Sequence, residues 1–264
     1  MSIPCKSSLK DYNDIRQEGS FMDTLNEVKK IINDSNNIVF FGGAGVSTAS
    51  GVPDFRSATG LYNRKNDSKY SPEYMLSHKF FINHPDEFMT YCKENLMLDG
   101  IKPNKAHYAL AKLEKMGKLK AVITQNVDSL HQEAGSKNVI ELHGNLRDYY
   151  CVNCHKNFDL AYVKKFPAEA HCDECGGIVR PDIVLYGEGL DQDNISYAVN
   201  LIAQADVLIV GGTSLVVYPA AGLIDFYRGN KLVLINKETT PRDGIADYVI
   251  KGDIADIMDR LVGD

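Results

Sequence analysis

The chain has 264 residues, 44% of them apolar and 24% charged, and a net charge of −6. These are globular proportions, so disorder and fibrous repeats are excluded and broad electrostatic capture of nucleic acid is disfavoured. No apolar run approaches the roughly 18 residues of a membrane span. Residues 1–8 carry neither a secretory apolar core nor an Arg-rich leader, so a cytoplasmic address with no membrane partner is the default expectation.

In chain order, Phe21, Leu25, Val28, Ile31 and Ile32 share one face and predict a helix over Phe21–Ile32, ended by Asn36-Asn37. Short β-branched runs at Ile38–Phe41, Ala121–Thr124, Val139–Leu142, Ile183–Tyr186, Val207–Val210, Leu232–Ile235 and Tyr248–Ile250 read as buried strands. Helical patterns lie between them at Pro85–Leu98, Asn104–Met116, Asn194–Gln204, Pro219–Tyr227 and Asp253–Val262. This alternation predicts an α/β fold, a doubly wound, mostly parallel Rossmann-like sheet. Two stretches interrupt it: a helical insertion over 55–103, and a cysteine-bearing module over 146–181 with no strong periodicity of its own. The nucleotide-binding domain is then discontinuous, over 20–54, 104–145 and 182–264. The lysines Lys112, Lys115, Lys118 and Lys120 fit the solvated face and C-terminal end of a helix.

Four of the six cysteines form two Cys-x-x-Cys pairs, Cys151 with Cys154 and Cys172 with Cys175, the spacing of a closed four-thiolate zinc site. Two disulfides or a redox pair are the alternatives; a reducing compartment disfavours the first, and duplication of the motif the second. His155 and His171 each neighbour a cysteine and are the substitute ligands. Such a site is structural, one Zn²⁺ per chain, bracing a small lobe against the sheet. Cys5 and Cys92 are expected to be ordinary thiols.

The first strand runs into Gly42-Gly43-Ala44-Gly45-Val46-Ser47, where backbone N–H groups can approach a pyrophosphate. Thr48 replaces the third glycine of the dehydrogenase fingerprint. Ser50-Gly51-Val52-Pro53-Asp54-Phe55-Arg56-Ser57 then follows instead of a second strand ending in an acidic residue. The loop therefore serves something other than plain hydride transfer.

These two segments resemble the signature of the sirtuins, NAD-dependent protein deacylases. The remaining motifs follow in that family's order: Thr124 to His131, Glu141-Leu142-His143-Gly144, the four cysteines, Arg180 to Glu188, Gly212-Thr213-Ser214-Leu215 and Ile235-Asn236. The match runs from about residue 25 to 260, with Gly42 where many members have Thr and Tyr186 where many have Phe. The resemblance implies that NAD⁺ is cleaved, not reduced. An acyl-lysine oxygen displaces nicotinamide, and the acyl group ends on ADP-ribose.

By the same resemblance His143 is the general base, and a neutral imidazole suits that task at cytoplasmic pH; capping a strand end is its structural alternative. Asn126 joins it at the catalytic centre. Gln125 and Asn126 would hold the ribose and Asp128 the nicotinamide amide, although turn and cap roles fit these residues equally well on sequence alone. Gly43, Ala44 and Gly45 would cradle the pyrophosphate. Phe55, with simple core packing as its alternative, would cover the ribose, and Asp54 and Arg56 would complete the nicotinamide loop. Gly212, Thr213 and Ser214 would meet phosphate or ribose, Asn236 the adenosine, and Asp253 and Ile254 the adenine, with Asp253 also a natural helix cap. Val184, Tyr186, Gly187, Glu188 and Leu190 lie on the segment that would hold the peptide by strand addition. His131 reads as structural.

The expected activity is protein lysine deacetylation with NAD as co-substrate and acetyl-lysine peptides as partners. Mono-ADP-ribosyl transfer, favoured if the base at His143 were absent, and a zinc-ribbon nucleic-acid binder, which would need a basic face, are the alternatives. Family members that remove acidic acyl groups carry a Tyr and an Arg after the His-Pro step. Here the matching positions are Cys92 and Asn95, or Tyr91 and Glu94 one residue out of register, and no arginine occurs from Lys65 to Lys120. A preference for acetyl over succinyl follows.

Overall fold

Ile38 and Phe40 enter one hydrophobic core while Val39 and Phe41 enter another. Side chains alternate across a strand, so a strand apolar at every position is covered on both faces. The computed structural model, which describes residues 7–63 and 69–263, builds its main sheet on this rule. In chain order it contains α1 (Ser7–Asp34), β1 (Ile38–Gly42), α2 (Pro72–Met75), α3 (His78–Asn83), α4 (Pro85–Asn95), α5 (Lys105–Lys115), β2 (Leu119–Thr124) and α6 (Leu130–Glu133). There follow β3 (Val139–Glu141), β4 (Gly144–Cys151), β5 (Asn157–Asp159), α7 (Leu160–Val163), β6 (Ala170–His171) and β7 (Ile178–Ile183). The chain closes with α8 (Gln192–Gln204), β8 (Val207–Gly211), β9 (Leu232–Asn236), β10 (Tyr248–Lys251) and α9 (Ile254–Val262).

The main sheet has six parallel strands in the order β10-β9-β8-β1-β2-β3. Leu25, Val28 and Ile32 of α1, Leu110 and Leu113 of α5, and Met258 and Leu261 of α9 cover one face. Ala198 and Ile202 of α8, with Leu223 and Ile224, cover the other. Polar caps place the helices: Asp191 accepts from the Asn194 N–H at 2.7 Å to start α8, and Asn104 from the Ala106 N–H at 2.9 Å to start α5.

Residues 144–183 form a separate antiparallel sheet in the order β5-β4-β7-β6. Its core joins Leu146, Tyr149 and Val179 to Phe80, Phe81, Phe88 and Met89 of the helical insertion. The weak periodicity of this stretch reflects strands of two to eight residues interrupted by cysteine knuckles.

Two expected elements differ. Ile183–Tyr186 is not a strand of the main sheet; β7 ends at Ile183 in the small sheet, and Val184–Tyr186 runs on as extended chain. Its apolar residues are covered without a place in the main sheet: Ile183 and Leu185 belong to the core shared by the small sheet and the insertion, Val184 packs against a core of the main sheet, and the segment also lines a cavity. Pro219–Tyr227 is not α-helical but a 3₁₀ helix over Ala220–Phe226, with Gly222 weakening any α-helical alternative. Cys5 lies outside the described residues.

Candidate active site

Connections leave the sheet in opposite directions from β1 and β8, and ligands of open α/β sheets bind at such a switch point. Gly42 and Gly211 end these strands in register. Just beyond, the Gly45 N–H donates to the Gly212 carbonyl at 2.8 Å. A Cβ on Gly45 would lie 2.8 Å from that oxygen, and one on Gly212, whose φ is +59°, would lie 2.5 Å from the Val46 nitrogen. Glycine is what lets the two loops touch.

A cavity of about 570 Å³ opens over this crossing, within the range of small-molecule sites. It gathers Gly43, Ala44, Gly45, Asp54, Phe55, Arg56, Gln125, Asn126, Asp128, His143, Gly212, Thr213, Ser214, Asn236 and Ile254 of the expected cofactor and catalytic residues, together with Val184, Tyr186, Gly187, Glu188 and Leu190 of the expected peptide segment. Asp253 is the exception: it does not line the cavity. Its carboxylate accepts from the Ala255 N–H at 2.8 Å and pairs with Lys237 at 2.7 Å, as an N-cap does.

His143 stands between β3 and β4, where its Nδ1 lies 3.0 Å from the Gln125 carbonyl oxygen. A carbonyl only accepts, so Nδ1 carries the proton and Nε2 is the basic atom. Burial holds the imidazole pKa below its usual value, and the bond to Gln125 opposes that in part. Gly144 follows with φ +73°, and a Cβ there would lie 2.0 Å from the Asp182 carbonyl oxygen, so the turn beside the imidazole requires glycine.

Asn126 Nδ2 donates to Ser47 Oγ at 3.0 Å, and Ser47 Oγ donates to Asp128 Oδ2 at 2.6 Å. Burial raises the Asp128 carboxyl pKa, against the Ser47 and Leu130 donors that favour the carboxylate. Gln125 Nε2 donates to Thr213 Oγ1 at 3.0 Å, tying the loop after β2 to that after β8. Asp54 Oδ1 accepts from the Arg56 and Ser57 N–H groups at 3.0 and 2.8 Å, so Asp54 shapes its own loop. Glu188 lines the cavity, but its carboxylate takes Arg180 at 2.6 and 3.1 Å, His78 at 2.8 Å and the Leu185 N–H at 2.8 Å.

Ser47 is fully buried and is the residue that sequence reading passed over: it is visible as a hydroxyl in the glycine loop, while its partners are 79 and 81 residues away. Tyr62, Val217 and Tyr218 also line the cavity and carried no motif. His131 is buried against His107, ring centroids 4.7 Å apart, in keeping with a structural place.

At the far end of β4, Cys151, Cys154, Cys172 and Cys175 bring their sulfurs within 4.8 Å of one another, with 3.4 Å between Cys151 and Cys175 and 3.6 Å between Cys154 and Cys172. Four sulfurs about 2.3 Å from one tetrahedral Zn²⁺ would be roughly 3.8 Å apart, so the donor set fits. His171 faces the Gly176 carbonyl and Glu169 instead, and His155 is not in the cluster. With four thiolates the site has no open position and serves structure.

A family model described as the Sir2 family matches residues 43–219. The chain is 57% identical over 242 residues to an NAD-dependent protein deacetylase of Clostridium acetobutylicum, covering 91% of this chain and 99% of that one. It is 59% identical to that of Clostridium tetani, with 91% and 98% coverage. Among solved structures, a Sir2 complex with p53 peptide and NAD⁺ superposes with a TM-score of 0.79 at 44% identity, covering 88% of this chain and 94% of that one. A Sir2 complex with deacetylated p53 peptide and 3′-O-acetyl-ADP-ribose gives 0.83 at 43%, with 90% and 96% coverage.

Proposed function

The chain belongs to the Sir2 family, and on that footing we propose that it is an NAD-dependent protein lysine deacetylase that transfers the acyl group of acyl-lysine to ADP-ribose. The observation that carries the reading is the tautomer of His143: with Nδ1–H given to the Gln125 carbonyl, the imidazole presents a basic Nε2 in a cavity built at the nucleotide switch point. Bound NAD⁺ would supply a ribose carbon from which nicotinamide can be displaced. Gly43, Ala44 and Gly45 hold the phosphates; Gln125, Asn126, Thr213 and Ser214 hold the ribose and phosphate oxygens; Asp128 takes the carboxamide. Asn236 and Ile254 bound the adenosine end, where Asp253 acts through the helix cap. Phe55 excludes water from the reacting ribose, and His143 withdraws a ribose proton.

The peptide lies along Val184–Leu190, with Tyr186, Gly187 and Leu190 against it and Glu188 bracing the segment through Arg180. The four cysteines hold one structural zinc. Among the described residues no helix is long and apolar enough to cross a membrane; the acidic chain works on acyl-lysine proteins in the cytoplasm and not on nucleic acid. Mass spectrometry of an acetyl-lysine peptide incubated with NAD⁺ tests this. Equal amounts of nicotinamide, deacetylated peptide and acetyl-ADP-ribose are expected, whereas an ADP-ribosylated peptide would establish the transferase reading instead.

A further inference from the structure

Tyr186 belongs to the proposed peptide segment, yet its hydroxyl is spent elsewhere. Arg56 Nη2 donates to it at 3.1 Å, and it shares a hydrogen bond with the Tyr62 hydroxyl at 2.8 Å. Both partners stand on the turn after the glycine loop. That turn is tied internally, the Leu61 N–H to the Asp54 carbonyl at 2.8 Å and the Tyr62 N–H to the Phe55 carbonyl at 2.9 Å. The Tyr62 ring packs on Phe55, centroids 5.4 Å apart, with the Arg56 guanidinium 5.3 Å from its own centroid. Whatever fixes Tyr62 therefore fixes Phe55 and Arg56. On the other side Tyr186 is anchored through its backbone: its N–H donates to the Leu76 carbonyl and its carbonyl accepts from the His78 N–H, each at 3.0 Å. A phenylalanine at 186 would keep the ring and lose both side-chain bonds.

We propose that Tyr186 is a positioning residue, a latch by which the peptide segment holds the Asp54–Tyr62 turn over the nicotinamide end of the cavity. The inference rests on the function proposed above. Because the latch joins the two halves of the cavity, its loss weakens the hold on NAD⁺ more than the hold on peptide, and by linkage it weakens their coupling.

Tyr186→Phe removes one oxygen from a half-exposed site, so the fold and melting temperature stay as in the wild type. The KM for NAD⁺ at saturating acetyl-lysine peptide is expected to rise roughly three- to tenfold, the size of one or two hydrogen bonds, while kcat stays within about twofold. Tyr62→Phe should move the same constant in the same direction by less. The double variant should match Tyr186→Phe alone, because both changes remove one shared bond. A KM for NAD⁺ within about 1.5-fold of wild type, or single effects that multiply in the double variant, would overturn the latch. Calorimetric titration of NAD⁺ into each protein without peptide needs no turnover. A wild-type chain that binds NAD⁺ but deacetylates nothing would therefore overturn the proposed reaction, and the ratio of dissociation constants would still decide the latch.

Discussion

The two sheets differ in what keeps them folded. In the parallel sheet, β1 and β8 are buried at every position and carry two continuous cores, so hydrophobic burial at about 25 cal/mol per Å² is ample without a cross-link. The antiparallel sheet has strands as short as two residues, is exposed along much of β5, and owes its compactness to four convergent sulfurs and the aromatic insertion packed on it. A nucleotide site on the first and a structural metal on the second divide precision from tethering, and His143 sits where the two meet.

The sharpest test of that junction is His143→Ala. Deacylation is expected to fall by about 10²- to 10⁴-fold, the usual worth of a positioned base, with NAD⁺ binding by calorimetry preserved, since the imidazole touches the sheet through one backbone carbonyl. Because burial lowers the His143 pKa, the neutral base persists below its ordinary range. The acid limb of the kcat/KM profile should therefore lie below pH 6.5, and a limb above that value would contradict the buried geometry.

Next in size is the metal. Cys172→Ser, or chelation, should cost at least about 3 kcal/mol of stability together with the bound zinc. Hydrogen exchange should show the loss in β4–β7 while β1 and β8 remain protected. Metal analysis finding no stoichiometric zinc in protein from a zinc-replete host would remove the basis of the comparison.

Acid should act on the other side. His107 is buried and its pKa is pushed down to about 4, with His131 lowered likewise by burial and by its neighbour. The unfolded chain binds the proton more readily than the fold, so stability is intact above about pH 6.5 and declines toward pH 4, by roughly 3 kcal/mol from His107 alone. Denaturant titrations at both pH values measure it, and His107→Gln should flatten the slope.

The smallest effect concerns the acyl group. Asn95 lines the cavity and its amide donates back to the Tyr91 carbonyl at 3.0 Å, while Lys93 donates to the Phe166 and Ala168 carbonyls. Neither offers a free cation, so acetyl-lysine should exceed succinyl-lysine in kcat/KM by at least roughly tenfold, about 1.4 kcal/mol. Equal rates on the two peptides would show that another cation lining the cavity reaches the acyl end.

Legibility in the sequence followed the range of the interaction. Strands β1, β2, β8 and β9 were plain because full burial leaves a local signature, and the cysteines because ligand convergence is written in a three-residue spacing. Ser47, Arg180 with Glu188, and Tyr186 with Tyr62 were not, because their partners are set by tertiary pairing across 8 to 130 residues. Val184–Tyr186 misled for a related reason: apolar composition tells that a segment is covered, not what covers it.

Gly144 and Ile183, the first and last residues of the small sheet, are paired to each other, and the Val184 N–H donates to the His143 carbonyl at 2.9 Å. The small sheet therefore begins and ends side by side, with the insertion packed on its flank. The imidazole of His143 stands one residue from that pairing, and Cys151 closes β4 at its other end. A disturbance at the sulfurs has the length of a strand to cross before it reaches the imidazole, so the two centres can fail separately.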